Sequence, residues 1–484
     1  MLLGSLVEAA RSWPALASAT LAGDASGGGA AVDVTSVTHD SRVVEPGALF
    51  CCVPGERADG HEHAGAAVAA GAVAVLVERP LALGVAEVQV ESVRAAMGPL
   101  AGALAGWPSR SLDVVGVTGT NGKTTVTHLL AAILDAAHRS CGVIGTLSGA
   151  RTTPEAPELQ ASLAAMWSRG RRAVALEVSS HALAQHRVDG TRFAVGVFTN
   201  LSRDHLDYHH DMGQYFQAKA RLFEPGLSER AVVCTDDPHG RLLVDAARVP
   251  TMGYSLADAS DVTLSATGSR FRWRGRAMSM ALTGRFNVVN AVAAATVAAK
   301  LGADLDAVTA GLAAAGPVAG RFERIDAGQP FTVVVDYAHT PDGLAQALVA
   351  CRELAEPERS VLVVFGCGGG RDSSKRPLMG AAAAAGADEV IITSDNPRWE
   401  DPLTITEAVV SGVTDRSTLT VEPDRRAAIM AAVRSARSGD VVLIAGKGHE
   451  TTQTIGEDTV AFDDRHVAAE ALTAIGWAAG EGPA

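Results

Sequence analysis

VVGVTGTNGKTTV, residues 114–126, is the stretch on which the reading of this chain turns. An apolar, β-branched run leads into a glycine turn, and a lysine with two threonines opens the segment that follows. Gly119 and Gly122 let backbone N–H groups approach phosphate oxygens closely, Lys123 adds positive charge, and Thr124 or Thr125 can hold Mg²⁺. ATP or GTP is therefore the expected ligand. The strict phosphate-loop pattern requires a glycine where Val117 stands, so GTNGKT, residues 119–124, is a shortened variant.

Downstream of this loop, further apolar strands are expected at 173–178 and 195–199, each ending in polar residues. A parallel sheet with its site at the strand carboxyl ends has this pattern. The second strand closes on Glu177, followed by Ser179, Ser180 and His181. An acid in that position is a natural Mg²⁺ ligand, or a helix cap. The third strand delivers TNLSRDHLDYHH, residues 199–210, which is rich in metal-capable and acid–base side chains. In the helix after it, Met212, Tyr215, Phe216, Lys219, Leu222 and Phe223 share one face. Lys219 on that apolar stripe must snorkel, pair or change its chemistry. Residues 255–282 read as short strands with turns, and residues 284–302 as a helix with Asn287 and Asn290 one turn apart. Those amides suit a base or ribose, or the packing of the helix itself.

Residues 1–107 read as a small α/β unit, with a Gly/Ala run at 23–31 and the polar turn His39, Asp40, Ser41, Arg42, which can bind an anion or simply reverse the chain. Pro108 and Ser109 read as a linker to a central unit, 108–318. In a last unit, 319–484, strands at 332–336, 361–365, 389–393 and 441–445 alternate with Ala-rich helices, as in a second doubly wound sheet. Three of these strands feed the loops GCGGGRD, SDNPRWEDP and GKGHE. If they run parallel, Arg371 and Arg398 offer carboxylate forks, Glu450 offers an ammonium acceptor, and Asn396 serves either, which fits an amino acid.

Composition narrows the class. The chain has 484 residues, too many for one core, and a net charge of −13, which disfavours nucleic acid as a partner. Apolar runs stay short of a membrane span and no secretory signal opens the chain, so membrane association is not expected. The six cysteines form no CxxC pair, which suits a reducing cytoplasm. Of 41 basic residues only Lys123, Lys219, Lys300, Lys375 and Lys447 are lysine. Lys123, Lys375 and Lys447 adjoin glycine-rich turns, which points to function for the latter two as well.

The motifs in this order resemble the Mur ligase family, most closely its MurE type, which adds meso-2,6-diaminopimelate to UDP-N-acetylmuramoyl-L-alanyl-D-glutamate. They are THDSR, GTNGKTT, TTPEA, EVSSHAL, TNLSRDHLDYH, YFQAKARLF, GRFNVVN, GRFE, VDYAHTPD, KRPLMG, DNPR and GKGHE, and they span nearly the whole chain. The resemblance implies three α/β domains: an N-terminal domain for the UDP substrate, a central P-loop-type ATP domain and a C-terminal Rossmann-like domain for the amino acid. It implies a cytoplasmic monomer in peptidoglycan precursor synthesis that forms an amide through an acyl phosphate. By the same resemblance, Gly119, Thr120, Asn121, Gly122, Lys123, Thr124, Thr125, Asn287, Asn290, Arg321 and Asp336 contact ATP. Thr124, Glu177 and His205 place two Mg²⁺ ions, helped by Lys219 as a CO₂-derived carbamate. Ser41, Arg42, Thr152, Thr153, Ser179, Gln185 and Arg187 hold the UDP-muramoyl dipeptide. Arg371, Asp395, Asn396, Arg398, Gly446 and Glu450 hold the amino acid, with Arg398 as the fork for the distal carboxylate of diaminopimelate.

Departures from the family pattern fall in the amino-acid loops. Gly370 stands in place of an aspartate, Ser373 and Ser374 in place of Lys-Gly, and Trp399 in place of Thr or Ser, and the loop before Thr152 is short. The competing readings are ligation of L-lysine or another amine, a related folylpolyglutamate or cyanophycin ligase, a nucleotide-dependent switch, and a catalytically silent paralogue.

Overall fold

The computed structural model describes residues 1–23, 29–55 and 58–477. Most of the Gly/Ala run expected at 23–31 lies outside the described residues. Three main sheets follow one another along the chain. The first has five strands in the order Thr20–Ala22, Ala86–Gln89, Ala72–Val77, Ala48–Cys51, Ser36–Thr38, and only Thr20–Ala22 runs antiparallel.

The phosphate-loop strand Asp113–Thr118 lies inside a six-stranded, all-parallel sheet. Its neighbours are Val195–Phe198 and Ala173–Glu177, so the three polar strand ends adjoin. Both faces of the strand are covered. Val115 and Val117 join one core with the helices Lys123–Ala136 and Arg285–Lys300, and Val114 joins the other. This explains why its sequence is a continuous apolar run and does not alternate. Where short strands with turns are expected, residues 259–280 form three antiparallel strands, and this small sheet covers the helix Arg285–Lys300.

The last sheet also has six strands, in the order Glu323–Ile325, Thr332–Asp336, Val441–Ala445, Val361–Phe365, Glu389–Ile392, Leu419–Val421. All pairs are parallel except at the Glu323–Ile325 edge. The condition for the three glycine- and arginine-bearing loops to meet is therefore fulfilled. Pro108 and Ser109 do not form an exposed tether. They lie buried in a short 3₁₀ turn, where Ser109 Oγ accepts a hydrogen bond from Arg192 N at 3.1 Å. Among the described residues no helix is long and apolar enough to cross a membrane.

Candidate active site

The phosphate loop needs both of its glycines. Gly119 has φ +149 and Gly122 φ +87. A Cβ would stand 1.9 Å from Thr199 Oγ1 at the first and 2.5 Å from Asn290 Oδ1 at the second. Lys123 opens the following helix and folds back over the loop, donating to the carbonyls of Gly119 and Thr120 at 2.8 Å each. Burial lowers its pKa, and the nearby Glu177 carboxylate opposes that shift.

Glu177 is fully buried at the end of its strand. It does not cap a helix. Its carboxylate accepts from Thr124 Oγ1, Thr146 N and Thr146 Oγ1, each at 3.0 Å. This hard-oxygen pair beside the phosphate loop fits Mg²⁺. Arg321 reaches across from the last sheet and donates to Thr124 Oγ1 at 3.1 Å.

Lys219 does not snorkel. It is 1% exposed, donates to Gly119 O at 2.9 Å and lies 4.5 Å from the Tyr215 ring centroid. Burial, with the charge of Lys123 added, drives its pKa well below the ordinary lysine value, although Asp204 opposes the shift. Burial at this position thus works against the charged form of the amine. His205 is held in a left-handed turn, φ +55, with its ring 4.8 Å from His181. Burial lowers both imidazoles, His205 to about 3. Its neighbour Asp204 bridges to His339 of the last sheet at 3.4 Å.

Beside the loop lies a cavity of about 600 Å³, walled by Tyr254, Phe286, Val289 and Pro238, with Asn121, Asn290 and Gln346 as polar contacts. A neighbouring cleft is lined by Thr125, Asn287, Asn290, Arg321 and Asp336. Asn287 is occupied locally, donating to Thr283 O at 2.8 Å and accepting from Asn290 at 3.2 Å. Asp336 is held by the N–H groups of Phe322 and Ala338, at 2.7 and 2.9 Å.

On the other side of Glu177, Thr153 Oγ1 donates to Glu177 O at 2.8 Å and accepts from Ser179 N at 3.0 Å. Arg187 pairs with Glu155 at 3.0 Å and donates to Gln185 Oε1 at 2.7 Å. Thr152 meets Thr146 at 3.1 Å. These five residues form one connected wall. Among the described residues, no hydrogen bond joins Ser41 or Arg42 to it. Arg42 is paired with Asp40 at 2.7 Å, so the polar turn neutralises itself.

In the last sheet the loops converge. Asn396 Nδ2 donates to Glu450 Oε2 at 2.8 Å and to Asp395 Oδ1 at 3.1 Å, while its Oδ1 accepts from Thr454 N at 3.0 Å. The amide is thus committed to protein partners and fixes the pocket. Arg398 donates to Gly369 O at 2.6 Å and has no carboxylate partner within 4.0 Å among the described residues. Its free donors can take a substrate carboxylate. Arg371 is exposed, and Gly446, at φ +111, packs against Asp395. Trp399 is 76% exposed and fills no pocket. Ser374 Oγ accepts from Arg203 at 2.7 Å, tying this loop to the central unit.

Comparison with known proteins gives this geometry a family. The chain matches the Mur ligase middle domain over residues 117–298, the Mur ligase glutamate ligase domain over 320–448, and the Mur ligase family catalytic domain over 33–104. A UDP-N-acetylmuramoyl-L-alanyl-D-glutamate-2,6-diaminopimelate ligase of Geobacillus kaustophilus is 46% identical over 466 residues, covering 91% of this chain and 95% of its own. The chain belongs to the Mur ligase family. A Streptomyces coelicolor ligase of the same name is 45% identical over 471 residues, covering 91% and 92%. A solved diaminopimelate ligase superposes on this Mur ligase with a TM-score of 0.65 at 36% identity, covering 91% and 95%. The fold is shared more widely: MurF of Thermotoga maritima gives 0.64 at 21% identity, covering 86% and 94%.

Several residues of this Mur ligase site escape sequence reading. Thr146 clamps Glu177 from a separate loop, and Gln346, Phe286 and Tyr254 line the large cavity from three distant segments. Only their positions in space unite them.

Proposed function

We infer that this Mur ligase couples ATP cleavage to amide formation between meso-2,6-diaminopimelate and the D-glutamate carboxylate of UDP-N-acetylmuramoyl-L-Ala-D-Glu, in peptidoglycan precursor synthesis. The observation that carries the choice of amine is Arg398, a guanidinium without a carboxylate partner among the described residues, in the same loop cluster as Glu450. An amine substrate bearing both a carboxylate and an ammonium at its far end satisfies both. L-lysine would leave the arginine uncompensated.

Residues 119–125 with Arg321 receive the phosphates, and the cavity walled by Tyr254 and Phe286 has the size and apolar character for the base. Thr124 and Glu177 would hold one Mg²⁺, and His205 with a carbamate on Lys219 a second. Bound there, the metal neutralises phosphate charge. Thr152, Thr153, Ser179, Gln185 and Arg187 orient the muramoyl dipeptide, with Ser41 and Arg42 on the uridine side.

One oxygen of the D-glutamate carboxylate attacks the γ-phosphorus, and ADP leaves with the electrons of the broken P–O bond. Lys123 stabilises the charge on the transferring group. The amine lone pair then attacks the acyl carbon and inorganic phosphate departs. His181, whose pKa burial lowers and whose ring lies beside His205, takes the amine proton. The chain boundaries near 107 and 318 delimit the units that bring the three substrates together, and a cytoplasmic monomer contains every group this scheme uses.

The test is phosphate release with ATP, Mg²⁺ and the UDP-dipeptide, comparing meso-diaminopimelate with L-lysine. Release with diaminopimelate alone is expected. Equal rates with lysine would overturn the role of Arg398, and silence with both would overturn the reading.

A further inference from the structure

Beneath the amine pocket lies a cation that the scheme above does not use. Lys447 has no exposed surface. Its Nζ donates to Thr452 O at 2.6 Å, to Glu450 Oε2 at 3.3 Å and to Asn396 Oδ1 at 3.4 Å, and it lies 3.8 Å from Asp395. The same Glu450 Oε2 also accepts from Asn396 Nδ2. One carboxylate oxygen therefore has two protein donors. The other, Oε1, has none among the described residues.

A buried ammonium persists only where oxygens replace its water. Here those oxygens belong to the residues that carry the pocket. The ammonium also fixes the Asn396 amide: with Oδ1 facing Lys447 and Thr454 N, Nδ2 must face Glu450 and Asp395.

We propose that Lys447 is a positioning residue that holds Glu450 by Oε2 and so leaves Oε1 to receive the ammonium of the amine substrate. Lys447 thereby sets the affinity for the diamino acid without touching it. This rests on the diaminopimelate-ligase reading. A lysine serving only to fill the core would affect all three substrates alike.

The experiment is steady-state phosphate release by the full chain, with KM measured for diaminopimelate, ATP and the UDP-dipeptide. The enzymes are the wild type, Lys447→Met, Lys447→Gln, Glu450→Gln and the Lys447→Met/Glu450→Gln double variant, each checked by thermal melting. Lys447→Met should raise KM for diaminopimelate about tenfold or more, while the other two KM values stay within about twofold. Lys447→Gln, which keeps a donor, should fall between and supplies the comparison if the Met variant does not fold. In the Glu450→Gln background the Lys447→Met substitution should change KM for the amine by no more than about twofold, because no carboxylate remains to be held. An equal effect in both backgrounds, or a parallel change for all three substrates, overturns the proposal. If the wild type accepts a different amine, the same ratios are taken with that amine. Failure of the substrate reading then appears in the wild type, and failure of the Lys447 proposal appears in the ratios.

Discussion

Gly122 and Lys219 are single residues whose surroundings leave little choice. At Gly122 a methyl group meets Asn290 Oδ1 at 2.5 Å in a backbone conformation that L side chains avoid. Gly122→Ala should therefore raise KM for ATP at least about tenfold and destabilise the fold by about 1–3 kcal/mol, measured by kinetics and denaturant unfolding. The need for glycine there was legible in the sequence, whereas the atom that enforces it lies 168 positions downstream in another helix. Lys219 was legible as a cation on an apolar stripe, but its bond to Gly119 O was not. If it works as a carbamate, Lys219→Ala should lose about a hundredfold or more in kcat, and a short carboxylic acid added to the assay should restore part of it. No rescue at any concentration counts against the carbamate. Gly370 has open space for a Cβ but φ +62, a left-handed backbone conformation that favours glycine, so the backbone and not the packing accounts for it.

At the scale of elements, the strands were readable because parallel strands covered on both faces are uninterrupted apolar runs. Thr332–Asp336, Val361–Phe365 and Val441–Ala445 have the expected ends. What pattern could not supply is how loops at the ends of different strands are fastened. Arg425 does this for two of them. Fully buried and paired with Asp464 at 2.7 Å, it also donates to Ser394 O at 3.3 Å, at the start of the SDNPR turn, and to Ala445 O at 2.9 Å, just before GKGHE. Asp464→Asn leaves that cation uncompensated and should destabilise the chain by about 3–5 kcal/mol in calorimetric or denaturant unfolding. A change within about 0.5 kcal/mol would mean that the pair carries no structural load. The large cavity beside the phosphate loop was similarly hidden, since its walls come from strand ends and two helices. Gln346→Ala should raise KM for ATP several-fold and leave that for diaminopimelate unchanged.

For the whole molecule, side chains flanking the strands of the last sheet reach the phosphate loop and the segment 203–204 beside it. Arg321 meets Thr124, His339 meets Asp204, and Ser374 meets Arg203. Sequence motifs place each residue in its own segment but give no orientation between segments, so these bridges were not legible. Burial of imidazoles gives the assembly a pH dependence. Desolvation lowers His209 and His449 to about 4, against an ordinary value of 6.5. Above pH 6.5 neither folded nor unfolded chain protonates them appreciably. Between 6.5 and 4 the unfolded chain binds more protons, so stability falls as pH falls. The melting temperature should drop across that window, and His209→Gln with His449→Gln should flatten the slope; an unchanged slope would contradict the burial argument. In the proposed reaction ATP and amine meet through an acyl phosphate on the muramoyl dipeptide, and UDP-dipeptide carrying ¹⁸O in the D-glutamate side-chain carboxylate reports that intermediate. One labelled oxygen should appear in inorganic phosphate for each amide formed with diaminopimelate, whereas unlabelled phosphate alongside amide product would contradict the account.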